Sequence, residues 1–365
     1  MDEMKIFSFF SGSGFLDLGF ELNGFNIELV NEYSTSFIEA YQYSRERMNL
    51  PRPTYGYSNI DINEYLDSRA EELRGYIVAS REDGSLVGFI GGPPCPDFSI
   101  AGRQRGRNGD NGRLSQSYVD LIMEQQPDFF LFENVKGLWS TARHREYYEE
   151  LKETLSQHYV LTDRLTNALE FGAPQDRDRI LLFGIHRNIT TNIDDFNWEA
   201  HIQYDLDEVR NIQWPTTEPF VANDETVIPN NVIRELTVQH WFELNDVENH
   251  PNGNENFIPR GGLERMQTIE EGDDSRKSYK RLHRWRYSPT ACYGNNEVHL
   301  HPYRERRLTV AEALAIQSLP REFQLPPKMS LTNKFKTIGN GVPYLLAAGI
   351  AQTISDYLVE VRRDG

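Results

Sequence analysis

Short apolar segments alternate with amphipathic ones over the first half of the chain. Five of the segments are apolar on both faces, which is the pattern of strands buried in a parallel sheet. They are KIFSFF (5–10), FNIELV (25–30), LVGFIGG (86–92), DFFLFENV (128–135) and RILLFGI (179–185). Helical periodicity falls between them, over 15–23, 35–48, 115–126 and 142–157. This alternation predicts an α/β fold, a doubly wound and mostly parallel sheet with helices on both of its faces.

The periodicity weakens after the last of these strands. Residues 190–290 are rich in Asn, Asp, Pro and aromatic residues, which predicts a smaller and irregular second domain. A helix is predicted over 309–318, where Thr309 and Glu312 have the spacing of a capping box. A long amphipathic helix is predicted over 343–361.

These patterns divide the chain into three parts. We expect a large domain over 1–187, a small domain over 188–325, and a C-terminal segment over 326–365 that returns to the large domain.

The composition is that of a globular protein, with 38% hydrophobic and 25% charged residues. No apolar run approaches the length of a membrane span, and the first residues lack the basic flank and cleavage site of a signal peptide. Two cysteines without metal-ligand spacing exclude a disulfide scaffold. We therefore expect a cytoplasmic protein that holds no metal and has no membrane partner.

The charge of the chain is unevenly distributed. The net charge is −17, and residues 190–254 hold thirteen acidic residues against only two basic ones. Residues 255–307 hold eleven basic residues against eight acidic ones, and residues 95–113 hold four arginines against two aspartates. The net charge alone argues against nucleic acid as a partner, but the two basic segments keep that hypothesis open. Scattered solvated charge explains them equally well.

The first predicted strand leads into a glycine turn, FFSGSGF. Gly12 and Gly14 let a ligand approach the backbone where a helix begins. Glu32 ends the second strand, where a carboxylate binds ribose hydroxyls, and Tyr33 follows it and could stack on an adenine. A third strand-like segment ends in IDI (60–62), which places Asp61 near an adenine amino group. The third glycine of a dinucleotide fingerprint is missing, so the pattern favours S-adenosylmethionine over NAD. Solvated loop acids are the alternative for both carboxylates.

One of the two cysteines, Cys95, lies directly after the fourth predicted strand, in the sequence GGPPCPDFS. Pro93, Pro94 and Pro96 stiffen this loop and remove backbone donors. A cysteine fixed at the carboxyl edge of an open α/β sheet is a candidate nucleophile, provided that its surroundings stabilise the thiolate. Three nearby arginines offer positive charge: Arg103, Arg105 and Arg107.

Polar residues also flank the next two apolar strands, and the end of the first of these strands lies at the same edge. Glu133 ends the strand DFFLFENV, and Arg177 and Arg179 alternate at the start of the following one. Period two puts both arginines on one face. A carboxylate at the end of a buried strand is either paired or functional, and either setting tunes its pKa. Ion pairs with Asp176 or Asp178 are the structural alternative for the arginines.

The order of these motifs resembles one family. FSGSGF, NEY, IDI, GGPPCPDFS, ENV, QDRDR, RRLTVAEALAIQSLP and IGNGVP are similar to the motifs of the cytosine carbon-5 DNA methyltransferases. The resemblance spans 5–185 and about 283–361, and the combination of PPC, ENV, QxRxR and GN at these spacings is highly specific. It implies a Rossmann-like S-adenosylmethionine-dependent methyltransferase fold over 1–187. It also makes 188–325 a target-recognition domain, because the variable region of the family lies between QDRDR and RRLT.

The resemblance assigns catalytic roles to four residues. Cys95 attacks carbon 6 of a cytosine, and Glu133 hydrogen-bonds or protonates ring nitrogen N3. Arg179 contacts the cytosine O2, and Arg177 helps to position the ring and the loop of Cys95. The residues leave open which group removes the proton from carbon 5.

The resemblance and the glycine turn together predict a cofactor site. S-adenosylmethionine is the expected methyl donor and S-adenosylhomocysteine the product, with no metal. The expected site residues are Phe10, Ser11, Gly12, Gly14, Phe15, Glu32, Tyr33, Asp61, Ile62, Pro93, Asn340 and Val342.

Duplex DNA is the expected substrate. Carbon 6 is out of reach within a stacked duplex, so the target base must be flipped out. The loop after the nucleophile is rich in Gly and Arg and could close over the DNA. Basic residues interleaved with aromatics over 257–290 predict a second DNA face. The expected DNA-binding residues are Arg103, Arg105, Arg107, Arg276, Lys280 and Arg284.

Two positions depart from the family pattern. The usual Gln after the nucleophile is Pro96, and the usual Asp-Leu-Phe at the end of the first strand is Ser8-Phe9-Phe10. The second departure removes a carboxylate from the cofactor side, so its hydrogen bonds must be made elsewhere. The other cysteine, Cys292, is predicted to be a packed small residue.

The sequence thus predicts a site-specific DNA cytosine-5 methyltransferase. Its motifs begin at residue 5, which is typical of the restriction-modification type, and a cognate restriction endonuclease acting on the same site is the expected companion. We expect a monomer. A tRNA cytosine-5 methyltransferase of the same family is the alternative, although that branch has a shorter insert. A binding module that lost activity and a nicotinamide oxidoreductase fit the motifs less well.

Overall fold

A mixed sheet forms the centre of the protein in the computed structural model, which describes residues 4–94, 110–259, 261, 263–276, 278–293 and 297–364. Within these ranges the sheet has seven strands, in the order β3-β2-β1-β4-β5-β7-β6. The strands are β1 (Met4–Phe9), β2 (Phe25–Asn31), β3 (Tyr57–Ser58), β4 (Leu86–Gly91), β5 (Phe129–Val135), β6 (Tyr159–Asn167) and β7 (Asp178–His186).

The prediction of a mostly parallel, doubly wound α/β sheet is confirmed. β3, β2, β1, β4 and β5 are parallel neighbours, so their carboxyl ends meet at one edge. Strand β7 is antiparallel to β5 and to β6, which corrects the prediction that its segment is a parallel strand. The antiparallel pair brings the start of β7 to the edge where β5 ends. Arg179 is thereby paired in register with Val135.

The sheet differs from the prediction at two strands, β6 and β3. β6 was not predicted, because this edge strand is half-buried along most of its length and has no continuous apolar run. The third strand was predicted to end at 60–62, but β3 is only two residues long and ends before that point. Residues 62–66 form a 3-10 turn instead, which Asp61 caps by accepting a hydrogen bond from the backbone N–H of Asn63.

Helices cover both faces of the sheet. In the described residues they are α1 (Phe15–Glu21), α2 (Thr35–Arg47), α3 (Ala70–Arg81), α4 (Asp110–Gln125), α5 (Lys136–Ser140), α6 (Ala142–Ser156), α7 (Leu206–Asn211), α8 (Val238–Leu244), α9 (Leu263–Gln267), α10 (Val310–Ile316), α11 (Leu331–Asn340) and α12 (Tyr344–Asp364). Thr309 and Glu312 form the predicted capping box at the start of α10. Within the described ranges, no helix is long and apolar enough to cross a bilayer.

The last helix packs directly on the first. A Cβ atom added at Gly19 of α1 would lie 2.5 Å from the carbonyl carbon of Ala347 in α12, so only glycine permits this approach. The contact places the C-terminal segment against the large domain, as the sequence led us to expect. The domain boundaries themselves stay a prediction, because one apolar cluster joins Phe15 and Leu18 of α1 to residues of α8, α10 and α11.

Candidate active site

A buried ion pair lies where β5 ends and β7 begins. Nε of Arg179 is 2.6 Å from Oε1 of Glu133, and both side chains are buried. The register explains the contact, because Glu133 is opposite Leu181 and Val135 is opposite Arg179, so all four residues face the same side of the sheet. Sequence reasoning predicted both residues for the site, and the structure brings them together.

The geometry of this pair leaves donor capacity unused. Nε of Arg179 makes no hydrogen bond of normal geometry among the described residues, although it lies close to the carboxylate. One terminal nitrogen, Nη1, donates to the backbone oxygen of Asp178 at 2.8 Å. The contact with Glu133 is therefore a single close contact through Nε rather than a closed, bidentate fork. A polar ring with its own acceptors would satisfy these donors better.

Burial also affects the pKa of Glu133. It raises the pKa of this carboxyl above its ordinary value, while the charges of Arg179 and Arg177 oppose the rise. A carboxyl with a raised pKa can hold or donate a proton nearer to neutral pH. Glu133 is thus suited either to accept a hydrogen bond or to give a proton to a nitrogen base.

The end of β4 is shaped around the same carboxylate. A Cβ atom added at Gly92 would lie 2.5 Å from Oε2 of Glu133, so this position has no room for a larger residue unless the carboxylate moves. Asn134 follows Glu133 and donates to the backbone oxygen of Pro93 at 3.4 Å. Cys95 comes directly after Pro94 in the chain and lies outside the described residues, as do Arg103, Arg105 and Arg107.

Arg177 lies behind this pair and connects three segments of the chain. It is 1% exposed and donates to the backbone oxygens of Gly339 at 2.7 Å and Ala291 at 3.2 Å. Gln175 accepts a further, longer contact at 3.4 Å. Arg177, Ala291 and Gly339 lie far apart in the sequence. Arg177 therefore holds the end of α11 and the segment around residue 291 against the start of β7. Its predicted role in positioning fits this placement.

The predicted cofactor loop follows β1 with a strained backbone. Phe10, Gly12 and Gly14 all have positive φ, at 52°, 56° and 79°. A Cβ atom added at Gly12 would meet nothing within 4 Å, so the loop opens onto empty space there. Ser11 donates its N–H to the backbone oxygen of Asn31 at 3.2 Å, which ties the loop to the end of β2.

Glu32 connects this loop with the next one. Its Oε2 accepts the N–H of Gly12 at 2.8 Å, and its Oε1 accepts the N–H of Ser34 at 2.7 Å. Burial raises its pKa, and these two backbone donors oppose the rise. Each carboxylate oxygen retains a lone pair for a further donor, which is the arrangement that two ribose hydroxyls require. The alternative of a solvated loop acid does not describe Glu32.

The other predicted cofactor residues surround this loop. Tyr33 is 75% exposed, and Asn59 donates to the backbone oxygens of Tyr33 and Glu32, which brings the loop before Asp61 alongside. Asn340 is exposed at the end of α11. Among the described residues, both hydrogen bonds to the Asp61 carboxylate come from Asn63 and go to Oδ1.

Four of the predicted cofactor residues have buried side chains, and Pro93 is one of them. Ile62 and Phe15 are each 2% exposed, and Val342 is 5% exposed. Phe15 packs edge-on against Phe323 and leaves no room for a side chain at Gly341. Their side chains therefore belong to the packed interior beside the predicted cofactor loop.

The predicted DNA-binding residues of the small domain separate into two groups. Arg276 is about half-exposed, 3.7 Å from Asp273, and Lys280 lines a cleft. Arg284 is 4% exposed and makes a two-pronged contact with Glu271, at 2.8 and 2.7 Å. The charge of Arg284 is thus neutralised inside the domain, so its contact with DNA stays a prediction and would require Arg284 to leave Glu271.

The cleft beside Lys280 opens at the edge where β5 ends and has a volume of about 550 Å³. Sequence reasoning missed two of its cations. Lys136 lies 2.8 Å from Asp178, and Arg210 lies 3.2 Å from Asp176. The residues that line the cleft are Lys136, Asp176, Asp178, Arg210, Lys280, Pro289, Thr290, Cys292, Glu297 and His299.

Cys292 corrects another prediction. It is exposed beside this cleft rather than packed in a core. The segment around it is neither helix nor strand, and its neighbours Ala291 and Tyr293 are both buried. Their burial turns the intervening side chain outward.

Comparison with known proteins identifies the family of the chain. The family model for C-5 cytosine-specific DNA methylases matches residues 4–356, which is nearly the whole chain. The chain belongs to this family. It is a DNA cytosine-5 methyltransferase, and the family and its fold are those of enzymes that use S-adenosylmethionine.

Individual relatives of this methyltransferase extend the comparison. The chain is 58% identical over 355 residues to the Type II methyltransferase M.NmeDI of Neisseria meningitidis serogroup C, covering 97% of this chain and 84% of that protein. It is 29% identical over 368 residues to the Type II methyltransferase M.FnuDI of Fusobacterium nucleatum, covering 97% and 96% of the two chains.

Solved structures share the fold of this methyltransferase. A structure described as a prophage-encoded DNA modification methyltransferase of E. coli has a TM-score of 0.68 at 21% identity, covering 98% of this chain and 100% of that one. The S. pombe Dnmt2 methyltransferase has a TM-score of 0.59 at 12% identity, with 99% coverage of both chains. Among the described residues of the methyltransferase, no group of side chains could hold a metal ion.

Gly92→Ala should reduce methyl transfer without unfolding the enzyme. The new Cβ atom would displace the Glu133 carboxylate, which lies at the end of a flexible side chain and can move at little cost to stability. A catalytic group displaced by about 1 Å can cost on the order of 100-fold in rate, so we expect kcat to fall by at least ~10-fold. Single-turnover rates and Tm, measured on the same preparation, check this.

Gly75→Ala is the matched control. A Cβ atom at Gly75 in α3 would meet nothing within 4 Å, so kcat should stay at the wild-type value. A helix gains about 0.5–1 kcal/mol when an interior glycine becomes alanine, so Tm should rise slightly. Wild-type kcat in Gly92→Ala would mean that the position of Glu133 is not critical.

Proposed function

We propose that the protein is a site-specific DNA cytosine-5 methyltransferase that methylates a flipped cytosine in duplex DNA through a covalent adduct with Cys95. The observation that supports this most strongly is the contact of Glu133 with Arg179. A buried carboxylate with a raised pKa and an arginine with unused donors lie side by side at the edge from which the Cys95 loop departs. A cytosine presents N3 and its amino group to such a carboxylate and O2 to such an arginine.

The first step makes carbon 5 of the base nucleophilic. The Cys95 thiolate adds to carbon 6 and forms an S–C bond, and the electron pair of the 5,6 double bond is delocalised over the ring toward N3 and O2. Glu133 gives a proton to N3 or hydrogen-bonds to it, and Arg179 donates to O2. Both groups stabilise negative charge where it develops, and water is largely excluded from their surroundings.

The later steps restore the aromatic ring. S-adenosylmethionine, when bound, supplies the methyl group as an electrophile. Loss of the carbon 5 proton to a base then returns an electron pair to the ring, and expulsion of the Cys95 thiolate re-forms the 5,6 double bond. Glu133 takes back the proton of N3 at this stage, so its raised pKa serves both directions of transfer.

The residues around the glycine turn fit this donor. Glu32 keeps one lone pair on each oxygen for ribose hydroxyls, the loop is open at Gly12, and the described hydrogen bonds to the Asp61 carboxylate go to Oδ1 rather than Oδ2. The exposed ring of Tyr33 offers a face for the adenine.

We propose that duplex DNA lies along the cleft beside Lys280. Lys136, Arg210 and Lys280 line it, and among the described residues the first two form ion pairs with Asp178 and Asp176, at and just before the start of β7. Such exposed ion pairs are worth little, so the cations can exchange an aspartate for a phosphate at small cost. Arg103, Arg105 and Arg107 remain the proposed phosphate contacts of the loop after Cys95. Arg276 remains a proposed contact of the small domain.

The biological setting that we propose is a Type II restriction-modification system. The relatives named above are Type II methyltransferases, and the 58% identity to one of them extends over 97% of the chain. In this setting a cognate restriction endonuclease cuts the same site when it is unmethylated. We propose that the methyltransferase acts as a monomer.

Substrates that carry 5-fluorocytosine test the covalent mechanism and the choice of nucleic acid together. Fluorine at carbon 5 is not released as a cation, so the adduct cannot resolve once the methyl group has been transferred. We expect the wild-type enzyme with S-adenosylmethionine to form a gel-stable complex with duplex DNA but not with tRNA. Cys95→Ser should form none with either, while it still binds the cofactor.

Each other outcome would change the assignment. Trapping by the Cys95→Ser variant would refute Cys95 as the nucleophile. Trapping on tRNA but not on DNA would replace the proposal by the tRNA methyltransferase. Cys292→Ser serves as the control for the loss of a thiol, and it should trap DNA as the wild type does.

The cleft can be tested through the salt dependence of DNA binding. A triple variant, Lys136→Gln/Arg210→Gln/Lys280→Gln, removes three cations from it. Each phosphate contact contributes about 0.9 to the slope of log K against log salt, so the magnitude of the slope should fall by up to ~2.7. Fluorescence anisotropy at several salt concentrations measures the slope.

A second triple variant separates local from overall charge. Arg52, Arg234 and Arg321 are also exposed and paired with acids, at 2.9, 3.2 and 2.7 Å. Their replacement by Gln changes the net charge equally but removes no cation from the cleft. An equal change of slope in both variants would place the DNA elsewhere.

A further inference from the structure

A cluster of buried charges lies beneath the cofactor loop, and the mechanism above does not use it. Asp17 and Arg45 are each 1% exposed, and the Glu21 side chain is 6% exposed. Charges in a protein interior are costly unless they are paired, and well-packed apolar residues often replace such a pair without loss of stability. A buried cluster of this kind therefore indicates a role other than stabilising the fold.

Arg45 connects the cluster with the loop. Its Nε donates to Glu21 at 2.7 Å, and its Nη2, 2.6 Å from the same carboxylate, also donates to the backbone oxygen of Gly14 at 2.6 Å. The planar guanidinium makes these contacts at once, because its donors point in fixed directions. One residue of α2 thus holds the last residue of the loop, 31 positions earlier in the chain.

The ring of Tyr41 packs against the guanidinium of Arg45. The guanidinium lies 4.2 Å from the centre of the Tyr41 ring, which fixes its plane. The hydroxyl of Tyr41 donates to Oδ2 of Asp17 at 3.0 Å. A Cβ atom added at Gly14 would lie 2.4 Å from the Tyr41 ring and 2.7 Å from Nη2 of Arg45, so the loop is packed tightly on both side chains.

Asp17 carries the negative charge that the end of β1 lacks. Ser8 stands at the end of β1, where the family pattern has an aspartate, and it is fully buried. The Ser8 hydroxyl and Oδ1 of Asp17 make no hydrogen bond of normal geometry among the described residues, although they are close enough for Ser8 to affect the carboxyl. Burial raises the pKa of Asp17 to about 6, and the charge of Arg45 limits the rise.

The loop needs such support because its backbone is strained. Phe10 has a φ of 52°, and a positive φ at a residue with a side chain costs on the order of 1–3 kcal/mol. Gly12 and Gly14 also have positive φ. On one side Glu32 binds the N–H of Gly12, and on the other side Arg45 binds the carbonyl of Gly14. Among the described residues outside α1, no other group donates a hydrogen bond to the Gly14 carbonyl.

We propose that Arg45, neutralised by Glu21 and supported by Tyr41 and Asp17, is a positioning residue that holds the cofactor loop in its binding conformation before S-adenosylmethionine arrives. The inference rests on the proposed function, which places the cofactor at this loop. A loop held in advance loses less conformational entropy on binding, so Arg45 contributes to cofactor affinity without touching the cofactor.

A paired substitution removes this support together with the carboxylate of the ion pair. In Arg45→Met/Glu21→Gln both members of the pair become neutral at similar volume, and Asp17, whose pKa burial already raises to about 6, can take up a proton when Arg45 is lost. We expect the Kd for S-adenosylhomocysteine to rise by about 10-fold or more, measured by titration calorimetry well below the Tm of the variant. Amide hydrogen exchange over residues 10–18 should become faster in the free enzyme and slow down again when ligand binds.

The chain contains a matched control for this pair. Arg284 and Glu271 form another buried ion pair, at 2.7 Å, in the small domain and away from the loop. Arg284→Met/Glu271→Gln should lower Tm in a similar way but leave the Kd for S-adenosylhomocysteine within about 2-fold of the wild type. An equal loss of affinity in both pairs would reduce Arg45 to a general stabilising residue and overturn the proposal.

Two further outcomes separate this inference from the proposed function. If the wild type binds S-adenosylhomocysteine and Arg45→Met/Glu21→Gln binds it equally well, the positioning role is refuted and the proposed function stands. If the wild type does not bind it at all, the proposed function fails and this inference fails with it. Arg45→Lys tests the proposal if the pair variant does not fold. It keeps a cation beside Glu21 but lacks the planar fork of the guanidinium. We expect it to weaken binding by about 3-fold or more, and wild-type affinity would overturn the proposal.

Discussion

The contact of Glu133 with Arg179 is the interaction on which the reactive part of this structure depends. It exists because β7 runs antiparallel to β5, which puts the end of one strand beside the start of the other. Neither group could remain charged there alone, since an isolated charge in such a place is very unfavourable. The pair keeps both groups in position and leaves donors on the arginine unused. A base with acceptors at O2 and N3 and a donor at its amino group complements this pair.

Buried arginines hold the surroundings of that contact in place. Arg177 joins the start of β7 to the end of α11, and Arg45 joins α2 to the cofactor loop. Arg284 does the same within the small domain, where it binds Glu271. In each case the planar guanidinium connects separate segments of the chain. Arg177 binds mainly backbone oxygens, whereas Arg45 and Arg284 each bind one backbone oxygen and a carboxylate. Reactive groups, cofactor loop and small domain are thereby fixed relative to one another by contacts that a packed apolar core could not direct as specifically.

The sequence was sufficient to predict the parallel part of the sheet, because its strands are apolar on both faces and end in polar motifs. It joined Glu133 and Arg179 in one site only through the family resemblance, since it did not predict that β7 is antiparallel to β5. It was insufficient where local pattern and environment differ. β6 is half-buried and has no apolar run, and Arg284 lies among aromatic residues just as a DNA-binding arginine would. Only the fold brings Glu271 against Arg284. Nothing in the sequence distinguishes the buried Arg45 from Arg47 of the same helix, whereas Asp17, inside the apolar run FLDLGF, was a signal that we did not use.

The most direct measurement is a crystal structure of the enzyme trapped on a duplex that contains 5-fluorocytosine. Our account predicts a base outside the helical stack, with its carbon 6 bonded to Cys95. It predicts a Glu133 carboxyl within hydrogen-bond distance of N3 and the amino group, about 2.6–3.2 Å, and an Arg179 guanidinium on O2. A trapped base whose N3 and O2 face other residues, with Glu133 and Arg179 still in contact only with each other, would contradict the account.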